Sequence, residues 1–252
     1  MKMTVLASGS SGNGYLLEAR HSALLIECGV KPEVLMRMTA VPISWISGAL
    51  VTHEHQDHAG FVDRYAALGI RIFASRGTFE ALRGQVGFPA RGGNFLRSME
   101  VRHFGDWTVM PFDVRHDAAE PLGFVVEHPE SGRILFVTDT AYCPYDFRFL
   151  GLDHILVEAN YDDAILDGNV ANGTVEEARA ARTRRNHMSL RAACELVKAD
   201  QTAELKNVVL IHLSRQNADA AQFARRAEET ALFAKISVAK AGLAVELNKS
   251  EI

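Results

Sequence analysis

The stretch THEHQDHAG, residues 52–60, places His53, His55, Asp57 and His58 within six consecutive positions, directly after the apolar run Ala49-Leu50-Val51. A chain with ten histidines that spends three of them where a strand gives way to a helix marks that edge as a site, because ligand sites of α/β sheets gather at strand ends. Residues two apart in extended backbone share a side, so the rings of His53 and His55 point together and can share one metal ion. Asp57 and His58, at the turn into the helix, can reach a second. Imidazole and carboxylate donors without a thiolate suit zinc, and also iron or manganese. The competing reading is a surface run of histidines with no ligand.

Four donors from one loop cannot complete two metal shells, so further histidines and carboxylates are required downstream. His116 follows the run FDVR, Asp139 follows ILFVT, and His212 closes VVLI, each at or near the C-terminal end of an apolar strand. Short β-type runs fill the first half, at 4–7, 15–18, 23–27, 49–52, 71–74, 107–112, 123–128 and 133–138, and two more follow at 155–158 and 207–213. Helical patterns fall at Lys31 to Met38, Gly60 to Leu68, Thr78 to Val86 with Thr78 as its cap, 174–184, 189–199 and 218–234, while 159–173 is the longest expected loop. After residue 218 the pattern gives a helix and a final strand. Strands and helices in this alternation predict a layered α/β sandwich in one domain over residues 1–252, with no repeat or linker.

Composition narrows the setting. A net charge of −4 gives no global reason to bind nucleic acid, but four arginines stand between Arg179 and Arg185 in RAARTRR with no acid among them. Cys28, Cys143 and Cys194 form no C-x-x-C pair and are expected as buried thiols rather than disulfides or thiolate ligands. The start MKMTVLASGSSGNG lacks the apolar region of a signal peptide and no run approaches a membrane span, so no membrane association and a cytoplasmic setting are expected.

These motifs resemble the metallo-β-lactamase superfamily, which implies a four-layer αββα sandwich with a dinuclear metal site at one edge of its sheets. On that pattern His53, His55 and His116 hold one metal, Asp57, His58 and His212 the other, and Asp139 bridges them. Dizinc β-lactamases have a cysteine ligand and the diiron flavoproteins typically have a glutamate where His55 stands, so the resemblance favours hydrolases of phosphoesters or thioesters. The stretches VLASGSSGNGYLLE, LVTHEHQDHAG, HDAAEPLGFVV, TDTAY, VEANYD, NHMS and IHLS appear in order and resemble the compact YycJ/WalJ branch, described as DNA exonuclease-like hydrolases. Glu27 in IECG departs from the branch, which usually has aspartate there; its carboxylate can still accept a hydrogen bond from a ligand imidazole.

The loop GSSGNG is either a plain hairpin turn or a rim whose N–H groups, with Ser8, Ser10 and Asn13, touch a phosphate. LVEAN and RRNHMSL resemble the proton-delivering glutamate and histidine motifs of ribonuclease Z. With Ser189 capping the next helix, the resemblance makes Glu158 and His187 catalytic together with Asp57, and brings Arg184 and Arg185 against the site as phosphate contacts. Only 73 positions separate Asp139 from His212, and strand and helices fill them, leaving no room for the inserted β-CASP domain of ribonuclease J-like enzymes. The expected activity is a phosphodiesterase with two divalent ions, zinc before manganese, acting on nucleic acid, DNA before RNA. A small cyclic phosphodiester as substrate, or a metal-bearing domain that binds nucleic acid without turnover, remain as alternatives.

Overall fold

In the computed structural model, which describes residues 1–83 and 94–250, the chain forms two seven-stranded mixed sheets. The first sheet contains β1 (Lys2–Ala7), β2 (Gly14–Glu18), β3 (Ala23–Ile26), β4 (Ile46–Leu50), β5 (Ile72–Ser75) and β6 (Asn94–Leu96). The second contains β7 (Arg102–Phe104), β8 (Trp107–Asp113), β9 (Leu122–His128), β10 (Gly132–Val137), β11 (His154–Glu158), β12 (Asn207–Ile211) and β13 (Lys235–Val238). A last strand, β14 (Ala244–Glu246), returns to the first sheet and pairs antiparallel with β1. Helices α1 (Pro32–Met38), α2 (Gln56–Ala59), α3 (Val62–Ala67) and α4 (Arg76–Leu82) follow strands of the first sheet. Helices α5 (Asp163–Ala171), α6 (Glu177–Asn186), α7 (Leu190–Asp200) and α8 (Ala220–Glu228) belong to the second half.

Strict period-two alternation makes the layers. Ile134 and Phe136 of β10, Leu156 of β11, and Val209 and Ile211 of β12 point inward against Tyr15, Leu17 and Leu24 of the first sheet. Their neighbours Leu135, Val137, Ile155, Val157, Val208 and Leu210 point outward, under Ala193, Leu196 and Val197 of α7 and Phe223 of α8. On the opposite outer face, Leu25, Ala49 and Ala74 are covered by Leu35, Val62, Tyr65 and Phe79 of α1, α3 and α4. Runs apolar on both faces, such as ILFV and VVLI, are what a sheet buried between two layers requires. The result is the expected αββα sandwich.

Several local expectations change. Residues 163–171 form a helix inside the expected loop, because Asp162 accepts from the N–H groups of Ala164 and Ile165 and so caps it. The fourth helix is capped by Ser75, whose side chain accepts from Thr78 N, so Thr78 lies inside it. The end of that helix expected at Val86 lies outside the described residues. The helix expected between Gly60 and Leu68 forms as α3, preceded by the additional one-turn helix α2, and two strands rather than one follow α8. Of the three cysteines only Cys28 is buried; Cys143 and Cys194 are half-buried free thiols. No helix among the described residues is long and apolar enough to cross a membrane.

Topology decides where the chemistry falls. Strands β3, β4 and β5 are parallel, as are β10, β11 and β12, and β8 runs with β10 because two antiparallel pairings separate them. Their C-terminal ends therefore share the edge from which Glu27, His53, His116, Asp139, Glu158 and His212 emerge.

Candidate metal centre

Beyond β4 the chain turns through His53 and His55 into α2, and His55 occupies the N-cap position without spending its side chain on the cap. His53 Nε2 lies 3.1 Å from His55 Nδ1, and His116 Nε2 lies 3.2 Å from the same atom. Hydrogen bonding assigns the protons elsewhere. The Thr52 hydroxyl donates to Glu27 Oε1 at 2.6 Å, leaving Thr52 Oγ1 to accept from His53 Nδ1 at 2.9 Å. His116 Nδ1 donates to the carbonyl of Asn186 at 3.0 Å. The Nε2 atoms of His53 and His116 are then bare lone pairs, and His55 Nδ1 carries at most one proton between them. Burial also holds both His53 and His116 below the usual histidine range, in the neutral form a metal needs. Nitrogens bound tetrahedrally at about 2.0–2.1 Å stand about 3.3–3.4 Å apart, close to the spacing found. The three rings fit a cation.

A second cluster adjoins it. Asp57 Oδ2 is 3.3 Å from His58 Nε2 and 3.2 Å from His212 Nε2. Asp139 Oδ2 stands between the clusters, 2.8 Å from His58 Nε2, 3.4 Å from His53 Nε2 and 3.8 Å from His116 Nε2. Burial opposes ionisation of Asp139, but the imidazoles of His212 and His58 outweigh it and hold the carboxyl well below its ordinary range. Asp57 is likewise held down by His212 and His58 against the cost of burial. Ligand atoms of His53, His55 and His116, and of Asp57, His58 and His212, can each enclose one ion, with Asp139 reaching both groups.

Backbone strain accompanies these positions. Among the described residues, Glu27, Asp139, His212 and Met99 are the non-glycine residues with left-handed φ, at 69°, 48°, 55° and 63°, and three of the four are in the site. Glu27, fully buried, stands 3.3 Å from His58 Nδ1 and reaches His53 through Thr52, so it serves two rings rather than the single one expected. Burial pushes its carboxyl up. Gly29 lets the segment after β3 pass under the histidine loop: a Cβ there would meet the Asp57 carbonyl oxygen at 1.7 Å.

The loop between β1 and β2 closes a hairpin and also faces the site. Ser8 Oγ accepts from His212 N at 2.8 Å and bonds Tyr15 Oη, while Asn13 Nδ2 donates to the Asp57 carbonyl at 3.1 Å. Ser8 and Asn13 thus hold His212 and Asp57 in place, and of the three loop residues read as substrate contacts only Ser10 lines the open cavity.

That cavity, about 260 Å³, is also lined by His187, Arg179 and Arg182. His187 Nδ1 lies 2.7 Å from Glu158 Oε1 and 3.4 Å from Asp139 Oδ1. Burial works against the imidazolium, yet the Glu158 and Asp139 carboxylates push His187 up to about 11. Glu158 is fixed by the N–H groups of Thr140 and Met188, and Ser189 caps α7 as expected. Arg184 turns away to pair with Asp167, and neither it nor Arg185 lines the cavity. Arg179, Arg182 and Thr183 do, being the i, i+3, i+4 face of α6; that periodicity was the available signal. Asn160 was also missed as a residue. Its Nδ2 lies 3.2 Å from His212 Nδ1 and donates to the His212 carbonyl at 2.9 Å, and it sits inside the quoted VEANYD.

Residues 23–213 match the beta-lactamase superfamily domain, and the chain belongs to that family. It is 30% identical over 224 residues to the exodeoxyribonuclease YycJ of Bacillus anthracis, covering 86% of this chain and 84% of that one. It is 28% identical to the exodeoxyribonuclease WalJ of Streptococcus pneumoniae D39, over 86% and 82% of the two chains. Among solved structures, the metallo-β-lactamase fold protein YhfI of Bacillus subtilis superposes with a TM-score of 0.75 at 17% identity, over 97% and 99% of the chains, which is a likeness of fold.

Proposed function

We propose that the protein is a metal-dependent phosphodiesterase acting on nucleic acid, as a DNA exonuclease. The observation that carries this reading is the His187–Glu158 pair, set beside the carboxylate that joins two convergent donor clusters and facing arginines across one cavity. The exodeoxyribonuclease names of the YycJ and WalJ relatives support it.

His53, His55 and His116 would hold one divalent ion, Asp57, His58 and His212 the second, and Asp139 would contact both. A donor set rich in imidazole favours zinc over manganese. When bound, the ions supply an activated water and neutralise charge on the in-line transition state. The remaining work belongs to side chains. Arg179, which makes no described ion pair, takes a phosphate oxygen; Arg182, tied to Asp117 at 2.7 Å, keeps that wall rigid and adds charge. His187, protonated and aimed by Glu158, gives its proton to the departing oxygen, and the fixed Glu158 carboxylate keeps the ring oriented.

The test is cleavage of 5′-labelled and 3′-labelled single-stranded and duplex DNA with zinc or manganese, beside the Asp139→Ala protein. Directional, metal-dependent products from the wild type alone are expected. Intact DNA in the presence of protein carrying two metals per chain would overturn the nuclease and turn attention to small cyclic phosphodiesters.

A further inference from the structure

On the far side of the 8–13 loop lies a second and larger concavity, a trough of about 690 Å³. This is within the range of roughly 300–1,000 Å³ that holds small organic ligands, enough for a nucleotide. One wall is α8, which presents Ala221 and Ala224, and the other is β13 with Ile236 and Val238. These walls are largely apolar.

Two observations say what fits there. The first is continuity: Ser214 lines both the catalytic cavity and the trough, and within one loop Ser10 faces the former while Ser8 and Ser11 face the latter. The second is charge. Arg215 and Lys240 line the trough and no carboxylate does, whereas Asp57, Asp117 and Asp139 line the cavity. Both cations are exposed; Arg215 donates to Ser11 Oγ at 3.0 Å, and Lys240 has no described ion pair. In a chain of net charge −4, a concavity with cations alone favours an anion, and one with apolar walls favours an anion that also carries apolar surface.

We propose that this trough binds the single-stranded polynucleotide next to the scissile phosphodiester. Arg215 and Lys240 contact its backbone phosphates, and its bases lie against Ile236, Val238 and the α8 alanines. The inference rests on the nucleic-acid reading of the catalytic cavity and adds to it a second binding surface, reached across the loop.

The experiment measures binding of a fluorescein-labelled 12-nucleotide single strand to the full chain by anisotropy, across a salt series, with no cleavage required. The Arg215→Ala/Lys240→Ala protein is expected to bind about tenfold more weakly. Its plot of log affinity against log salt is expected to be shallower by about 1.4, since each lost single-strand phosphate contact removes about 0.7. Ala221→Phe, which fills the trough and leaves both cations in place, is expected to weaken binding as well. Unchanged binding by both variants overturns the trough, as does a wild type that binds no single strand. A wild type that binds the strand but never cuts it, with the variants weakened, overturns the nuclease and leaves the trough standing. Thermal melts of the variants separate lost contacts from lost folding.

Discussion

His187 and Ser8 both stand beside His212, yet they answer to different tests. His187 touches no donor of the three-histidine cluster closely enough to replace one, and its Nδ1 is committed to Glu158. His187→Ala is therefore expected to keep its metals and lose cleavage by about 10²–10⁴-fold, the usual worth of general acid catalysis. Metal content and rate measured on one sample decide this, and a variant that cuts at the wild-type rate removes His187 from the mechanism. Ser8 acts through another residue: it accepts the N–H of His212, whose backbone is held in the left-handed region. Ser8→Ala is expected to lower metal affinity by about 10–100-fold, as losses behind a ligand typically do, without unfolding the chain. Titration with a zinc indicator reads that shift, and wild-type affinity would reduce Ser8 to a turn residue.

At the scale of elements, two packing details carry measurable consequences. The segment after β3 reaches the histidine loop only because Gly29 has no side chain, so Gly29→Ala must push Asp57 and His58 away from His212. Loss of bound metal with circular dichroism retained is expected; a variant that still holds two ions refutes the tight passage. The end of α7 illustrates a cost unrelated to the site. Asp200 is buried there, and burial raises its carboxyl from 3.8 to about 6 although Phe147 N donates to it at 2.7 Å. The folded state thus holds this proton more tightly than the unfolded chain, and stability falls as pH rises from about 4 through 6, then levels. Asp200→Asn keeps an acceptor and abolishes the charge. It is expected to stabilise the protein by about 1–2 kcal/mol at pH 7–8 and to make no difference near pH 4. Denaturant melts at the two pH values check the sign, and an equal effect at both would exclude ionisation as the cause.

Across the whole molecule, the candidate metal donors come from both halves of the sandwich. His53, His55, Asp57 and His58 follow a strand of the first sheet, while His116, Asp139 and His212 follow strands of the second. Ions held between them would stabilise only the assembled form, by about 4 kcal/mol at a thousandfold excess over the dissociation constant. For a chain of this size that corresponds to roughly 10 °C. Chelator-treated protein is expected to melt lower by about that amount and to recover with added zinc. Equal melting temperatures would mean that the donors do not hold ions across the sheets.

Much of this was written in the order of residues. Two-residue alternation and the runs ILFV and VVLI determined buried sheets, and His53, His55, Asp57, His58, His116, Asp139 and His212 were each legible because a donor at the end of an apolar strand has few structural uses. The three-residue strands β6 and β7 were not legible, and of the two strands after α8 only one was, since a short edge strand exists only through the partner it meets. Helix α5 was hidden by its glycine and asparagine, although Asp162 supplied the cap. The arginines that enter the cavity were decided by the rotation of α6, and the roles of Ser8 and Asn13 by which way a hairpin loop folds over the site. Donor types and strand ends are local chemistry, which the sequence carries by itself. Which atoms converge, at 2.7 Å or 3.2 Å, and which backbone is forced into left-handed φ, depend on contacts between residues up to two hundred positions apart, and only the tertiary structure decides them.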